Sequence, residues 1–196
     1  MRFGIALPNF RSLGTPPALV EIAQQAEVLG YHSIWATDIV VQTRSAADER
    51  FAYSLEALTL TAHLAAVTTR VQWSISVLVL PQRSPVLVAK EVATLDCLSG
   101  GRLVLGVGAG YHEMQFRWLG ADFRRRGQRL DEYILAMREL WTAQDPASRV
   151  SMSSSLMSCS CRGLFSRRVP PLSLVAVAQL RYAGWLVWPT GGTRSA

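Results

Sequence analysis

The chain has 196 residues, 49% of them hydrophobic, and a formal net charge of +6 at pH 7. It contains no run of about 18 apolar residues, which excludes a purely hydrophobic membrane-spanning helix. The first ten residues, MRFGIALPNF, lack the basic and long apolar regions of a signal peptide. We therefore expect a cytoplasmic globular protein that has no membrane partner.

Charge is distributed unevenly along the chain. All 14 acidic residues precede position 149, and the last 48 residues contain six arginines and no acid. Such a break in composition indicates two different kinds of polypeptide joined end to end. Because the basic tail has no lysine and does not alternate basic with aromatic residues, we do not expect nucleic acid as a partner.

Up to residue 142, short apolar runs typical of buried strands alternate with helical patterns. Strands are predicted at 2–7, 33–36, 72–80 and 102–107, and helices at 19–29, 55–68, 84–98, 113–119 and 126–141. Because the strands are apolar without strict alternation, they predict a parallel sheet with helical crossovers. A doubly wound sheet and a (β/α)8 barrel both begin this way, and four units are about half of a ~250-residue barrel.

Residues able to carry chemistry follow these strands, at the carboxyl edge where parallel sheets form their sites. Asn9 follows the first strand and Asp38 the second, while Ser76 and Val77 lie within the third. The fourth strand enters the glycine-rich segment Gly106–Tyr111, whose amides are suited to approach an anion closely. A tight turn with positive φ explains these glycines about as well, and an N-cap or loop role is the simpler explanation for Asp38.

Other polar residues have simpler structural explanations. We expect His32 and His112 to be surface or cap residues and His63 to be structural. The arginines at 124–126 are expected to start a solvated helix, although they also suit an anionic cofactor tail.

The cysteines predict neither a metal site nor a redox site. Cys97 lies in a helical pattern, where a buried and inert thiol is expected. Cys159 and Cys161 have no further ligand at metal spacing nearby, so no metal is predicted.

Four segments, taken together, are more specific than any one of them. They are MRFGIALPNF, EIAQQAEVLGYHSIWATD, SVLVLPQRSPVLVAKEVATLDCLSGGRLVLGVGAGY and RGQRLDEYILAMRELW. Over residues 1–147 they closely resemble the luciferase-like oxidoreductase family, most of all its branch that uses the deazaflavin coenzyme F420. The resemblance implies an α/β fold with about the first four β/α units of a (β/α)8 barrel. It also implies hydride transfer to or from a flavin-type ring, whereas relatives with FMN act as monooxygenases.

The resemblance further implies a cofactor site. Ser76-Val77 matches a strand-three segment at which the family often has a non-proline cis peptide behind the cofactor ring. Gly108, Ala109 and Gly110 match the backbone near the ribityl phosphate of the cofactor. Asp38 matches an acidic position after strand two.

One departure from the family concerns catalysis. The family commonly follows this Asp with a His that serves in cofactor binding or proton transfer, and here the position is Ile39. Isoleucine neither donates nor accepts a proton, so no catalytic residue is assigned. Glu56 matches an acidic residue at the following helix.

After Pro146 the resemblance ends, and residues 148–196 are expected to form an irregular tail. A disordered tail rich in serine and arginine is one explanation. The genetic code offers another, because GC-rich codons for residues 180–192 allow the out-of-frame sequence ALRGLARVADGW, which contains a later motif of the family. On that hypothesis the second half of the family's sequence is translated out of frame after about residue 147.

Two classes of function therefore stay open. The first is a truncated luciferase-like oxidoreductase that acts on an unknown small-molecule substrate with F420 or FMN. As half a barrel it is expected to have little or no activity and to self-associate through its open sheet edges, in a family that is often dimeric. The second is a non-enzymatic fragment or interaction module whose basic tail contacts acidic partners.

Overall fold

A computed structural model describes residues 2–10, 14–42, 53–142 and 173–176. The strands are β1 (Gly4–Ala6), β2 (Ser33–Ala36), β3 (Gln72–Val79), β4 (Leu103–Gly108) and β5 (Ser173–Ala176). The helices are α1 (Pro16–Val28), α2 (Ala57–Ala65), α3 (Pro85–Ser99), α4 (Glu113–Trp118) and α5 (Arg126–Thr142), and a 3₁₀ turn occupies Leu80–Gln82. The strands and helices predicted up to residue 142 are confirmed, with boundaries shifted by a few residues.

Local sequence signals fix the helix ends. Prolines occupy the first positions of α1 and α3, where their fixed φ and missing N–H suit a helix start. Glu56 caps α2 by accepting the Thr59 amide at 2.7 Å. Helix α3 ends at Gly100, whose φ of 71° is the left-handed conformation that favours glycine.

The strands form one parallel sheet in the order β1-β2-β3-β4-β5. Helical crossovers between successive strands make this parallel arrangement possible. One row across the sheet belongs to the hydrophobic core beneath the helices, and it consists of Ile5, Ile34, Trp73 and Leu103. Burial of this outer face against the helices is the main apolar contribution to the fold.

The opposite face of the sheet, which we call the inner face, carries a mixed set of residues. Its central row consists of Ala6, Trp35, Ser74 and Val104. The Trp35 indole N–H donates to the Ser33 hydroxyl at 2.8 Å, and the ring lies so close to Gly4 that a Cβ there would come within 2.7 Å of it. In a closed barrel this face points to the barrel interior.

Strand β5 falls in the segment 148–196, for which an irregular tail is predicted. It pairs in parallel with β4, with Ser173 opposite Val104 and Ala176 opposite Val107. Its sequence, SLVA, contains the β-branched Val175, which suits a strand. The predicted boundary at 147, both tail cysteines and the remainder of the reading-frame hypothesis lie outside the described residues.

The prediction of a buried Cys97 is wrong. The side chain is exposed and the thiol is free. The buried positions of α3 include Val92, Asp96 and Ser99, and Cys97 falls outside that stripe.

No helix in the described part of the chain is both long and apolar enough to cross a bilayer.

Candidate cofactor site

Asn9 ties the carboxyl end of β1 to the end of β2. Its side-chain amide donates to the Thr37 carbonyl at 2.8 Å, and its Oδ1 accepts the Thr37 amide at 3.1 Å. The Asn9 carbonyl accepts the amide of Leu55, just before α2, at 3.3 Å. Asn9 is fully buried. Its polar atoms are thus engaged in holding the edge together.

Asp38, at the end of β2, is held by two donors. Its Oδ1 accepts Nη2 of Arg83 at 2.7 Å, and its Oδ2 accepts the Val79 amide at 3.0 Å. The same Nη2 lies 3.1 Å from Oε1 of Glu56. The side chain of Asp38 is 1% exposed and that of Arg83 17%. Asp38 is therefore neither an N-cap nor a free loop residue, but a buried member of an ion-pair cluster.

The electrostatics of this cluster depend on Arg83. Burial raises the pKa of Asp38 above its ordinary value, and the charge of Arg83 acts against that rise. Burial would also raise the pKa of Glu56, but hydrogen bonds from Thr59 and Leu58 and the charge of Arg83 together outweigh it, and the pKa is lowered. Burial raises the pKa of Glu91, again against the charge of Arg83. One guanidinium thus counteracts the repulsion among three carboxylates.

The exit of β3 departs from regular pairing. The register with β4 shifts between Ile75 and Leu78, and the Ser76–Val77 peptide bond is cis, as the resemblance implies. Ile75 and Leu78 are both fully buried in the core beneath the helices, whereas Ser76 and Val77 are half-buried. The shift therefore places two consecutive residues where a ligand at the carboxyl edge can reach them.

Glycines alternate along β4 and its exit, and we call Gly106, Gly108 and Gly110 the glycine column. A Cβ on these glycines would clash in turn with the Ile75 carbonyl oxygen, Val77 and Val79, at 2.5, 2.7 and 2.6 Å. Gly110 also has a φ of 78°. Close packing against β3 thus requires all three glycines, and a positive φ requires the last of them.

The segment after β4 nevertheless fits an anion. Within the part of the chain that the structure describes, the amides of Ala109, Gly110 and Tyr111 donate no hydrogen bond. Nε of Arg126 donates to the Gly110 carbonyl at 3.0 Å and so holds this segment in place. Successive free amides around a left-handed glycine form a concave site for a phosphate.

The run of arginines at 124–126 is only partly solvated. Arg124 and Arg125 are exposed, as predicted. For Arg126 the prediction is wrong, because its guanidinium turns inward to Gly110 and stacks 3.9 Å above the ring of Phe123. A half-buried arginine at the end of β4 also adds positive charge beside the free amides.

None of the three histidines contributes to the hydrogen bonds and ion pairs described for Asp38. His32 precedes β2, at the amino edge of the sheet, and is half-buried, whereas His112 is the N-cap residue of α4, which confirms the predicted cap position for His112. His63 is exposed in the last turn of α2. Ile39 follows Asp38 and is half-buried. Among the described residues no group of three or more His, Cys, Asp or Glu side chains is arranged to hold a metal.

Arg83 and Gln82 are the residues of this edge that the sequence does not single out. Gln82 is buried, and its amide approaches Oε1 of Gln115 on α4 at 3.4 Å. Gln115 in turn donates to the Val41 carbonyl at 2.7 Å. The available signal was the motif PQRSP, in which two prolines fix the chain around Gln82 and Arg83 directly after a strand.

A shallow cavity of about 360 Å³ lies at the other edge of the sheet, lined by Glu27, His32 and Arg70 among others. These residues stand at the amino ends of the strands. In (β/α) folds the site forms at the carboxyl ends, so we place the candidate cofactor site with Asp38, Ser76, Val77 and the glycine column.

Comparison with known proteins decides the family. The model of the luciferase-like monooxygenase family matches residues 1–171. The chain belongs to this family. The matched range continues past residue 147, where the sequence segments ceased to resemble the family. An uncharacterized protein of Mycobacterium tuberculosis is 35% identical over 136 residues, which cover 63% of this chain and 47% of that protein.

Solved structures confirm the fold as part of a (β/α)8 barrel. An F420-dependent secondary alcohol dehydrogenase, in complex with an F420–acetone adduct, matches 90% of this chain and 51% of its own with a TM-score of 0.70 at 21% identity. The oxygenating constituent of 3,6-diketocamphane monooxygenase from Pseudomonas putida, in complex with FMN, matches equal shares with a TM-score of 0.71 at 15% identity. The chain spans about half the length of the relatives and structures it matches.

Proposed function

We propose that this chain binds a flavin-type ring at the carboxyl edge of β2, β3 and β4, and that it forms the cofactor-binding part of a luciferase-like oxidoreductase. Coenzyme F420 is the proposed cofactor, with FMN as the alternative. The bound group supplies hydride transfer in the first case and reaction with oxygen in the second. The substrate is a small organic molecule.

One observation carries the proposal. Three segments far apart in sequence, at Asp38, Ser76-Val77 and Gly108–Gly110, lie together at one edge and are bonded or packed to each other through Val79. Half-buried residues at the β3 exit offer a surface for the ring, and the free amides of Ala109, Gly110 and Tyr111 suit its phosphate. The same edge carries the site in (β/α) enzymes generally.

The side chains at the end of β2 are not placed to transfer a proton. Both oxygens of Asp38 are occupied by Val79 and Arg83, and Ile39 has no proton to give. Neither residue is available as a general acid or base. Hydride transfer between ring and substrate also moves a proton, so that proton must be carried by a group other than Asp38 and Ile39.

Titration with paired ligands tests the proposal. The fluorescence of F420 and of FMN is followed as protein is added, and each is compared with the same ring lacking its phosphate-bearing chain. We expect F420 or FMN to bind at least tenfold more tightly than the ring alone. Equal affinities would show that the amides of Ala109–Tyr111 hold no phosphate, and no binding of any ring would refute the function.

A matched pair of variants places the site. Ala109→Glu puts a carboxylate beside the three free amides, where it would repel a phosphate. Ala66→Glu adds the same charge at the exposed C-cap of α2, at the amino edge of the sheet. We expect only the first variant to weaken binding, by about tenfold or more. An equal loss in both would mean that overall charge, and not this site, decides affinity.

Binding and turnover are separate questions for a chain that matches about half of each relative. The sequence leads us to propose ring binding with little or no turnover. The reading-frame hypothesis is tested by the coding DNA around codon 147: absence of the family's later motifs from the other frame would end it.

A further inference from the structure

Arg83 connects three elements of the site edge through a single nitrogen. Its Nη2 lies 2.7 Å from Oδ1 of Asp38 at the end of β2 and 3.1 Å from Oε1 of Glu56 at the N-cap of α2. Arg83 itself directly follows the 3₁₀ turn that leaves β3. Its Nε is buried and has no partner. Within the described residues, the side-chain partners of the guanidinium are these two carboxylates.

Asp38 links Arg83 to strand β3. Its second oxygen accepts the Val79 amide at 3.0 Å, so the position of Val79 depends on Asp38. A buried carboxylate that loses its cation is strongly disfavoured and takes up a proton instead. Without Arg83, Asp38 would therefore hold the Val79 amide less firmly.

Val79 in turn packs against the surface proposed for the cofactor. Its Cγ1 fills the space beside Gly110, 2.6 Å from where a Cβ would lie, just as Val77 fills the space beside Gly108. We call Ser76, Val77 and Gly108–Gly110 the cofactor platform. A shift of Val79 would move the two halves of this platform relative to each other.

We propose that Arg83 is the positioning residue of the cofactor platform, acting through Asp38 and Val79. The expected effect of Arg83 on ring affinity rests on the proposed function. Its structural part, the control of Val79, stands independently. A purely stabilising ion pair would instead affect the whole fold evenly.

The central test is amide hydrogen exchange at Val79 in Arg83→Met, measured by NMR between pH 5 and pH 8. We expect the protection factor of the Val79 amide to fall at least tenfold, with a larger fall at pH 5 than at pH 8. Among the described residues, the charged groups that face Asp38 are Arg83 and Glu56, and Glu91 on α3 faces Arg83. With Arg83 removed, Asp38 keeps the repulsion of Glu56 without the compensating cation and is protonated more readily as the pH falls.

Arg117→Met is the matched control, because Arg117 forms an exposed ion pair with Glu113 on α4 at 2.8 Å. It removes an arginine and an ion pair without touching Asp38, and we expect no change at Val79. Arg83→Lys keeps the charge, so Val79 should stay protected without the pH dependence. If Arg83→Met does not fold, a pH-dependent loss of Val79 protection in Arg83→Lys would overturn the proposal.

Cofactor affinity gives the second readout. We expect Arg83→Met to raise the Kd for the ring at least tenfold in folded protein and Arg83→Lys to restore most of the loss. Unchanged Val79 protection, or faster exchange spread evenly over β3 and β4 with an unchanged Kd, would refute the positioning role. If wild type binds no ring, the proposed function fails, and Val79 exchange still decides whether Arg83 positions this edge.

Discussion

The two edges of the sheet both contain charged side chains, but they use them differently. At the amino edge, Glu27 and Arg102 bond mainly to backbone groups. Glu27 accepts the amides of Thr69, Arg70 and Val71. Arg102 donates to four carbonyls, those of Ala65, Thr68, Val71 and Ser99. At the carboxyl edge, Arg83 bonds to other side chains. The first arrangement joins elements directly, and the second holds a surface in position.

We propose that this difference separates the residues that stabilise the sheet from those that position its ligand. A charge that bonds the backbone satisfies groups that would otherwise be buried without partners, so its loss lowers the free energy of unfolding. A charge that orients another side chain adds less to stability, since ion pairs are costly to desolvate. Variants at the amino edge should therefore change stability alone, and variants at the carboxyl edge should change ligand binding.

The largest effect on stability is expected from Arg102→Met. It leaves several carbonyls without a donor near the core, and we expect a loss of about 3 kcal/mol in the free energy of unfolding, measured by urea denaturation. The affinity of the folded protein for F420 or FMN should not change. A weakened affinity would contradict a purely structural role for the amino edge, because it would show that this edge also takes part in binding.

Gly106→Ala tests the glycine column. Its new Cβ would meet the Ile75 carbonyl oxygen at 2.5 Å, a backbone atom that cannot turn away, so we expect a loss of about 1–3 kcal/mol in thermal or chemical denaturation. Gly127→Ala is the matched control, since nothing lies within 4 Å of its Cβ position on α5. There we expect a gain of about 0.5–1 kcal/mol from helix propensity. Equal effects would argue against packing as the reason for the column.

Glu27→Gln tests the amino edge through the pH dependence of the free energy of unfolding. Burial raises the pKa of Glu27, but the hydrogen bonds from Val71, Arg70 and Thr69 outweigh it and lower the pKa from 4.5 to about 2. Ionised Glu27 therefore stabilises the fold fully above pH 4.5, and its contribution is lost as the pH falls toward 2. We expect the variant to be less stable by about 1–2 kcal/mol at pH 7. A difference that persists unchanged at pH 2.5 would contradict this.

The smallest effect is expected from Arg129→Met on α5. Arg129 is 5% exposed, donates to the Tyr133 hydroxyl at 2.8 Å, and has Nε and Nη1 buried without a partner. Because a buried cation lacking an anion is costly, we expect its removal to be neutral or to stabilise by about 1 kcal/mol. Tyr133→Phe removes its remaining acceptor and should destabilise instead, in parallel melting curves. A large loss in Arg129→Met would reveal that this arginine has a favourable role.

The sequence predicts the fold because its signals are local. Apolar runs such as SIWA and prolines such as Pro85 act on their own neighbours, and each gives an element in the right place. The positions of Asp38 and of Gly108–Gly110 at the carboxyl edge follow from strand order. The partner of Asp38 does not, because Arg83 lies 45 residues away and meets it only after folding.

The remaining differences have equally physical causes. The glycine column is explained by register, since only the pairing of β3 with β4 places Val77 beside Gly108. Three consecutive arginines look alike in sequence, but the start of α5 turns Arg126 alone toward Gly110. Cys97 shares its helix with many apolar residues, so the sequence does not show which side of α3 faces outward.

Hydrogen exchange mass spectrometry of the wild-type chain, with and without saturating F420 or FMN, can show which edge of the sheet binds the ring. We expect ligand to slow exchange in segments 74–83 and 106–112, at the carboxyl edge, and to leave exchange in segments 24–32 and 66–72, at the amino edge, unchanged. Slower exchange at the amino edge, or no change at the carboxyl edge under conditions where the ring is bound, would contradict it.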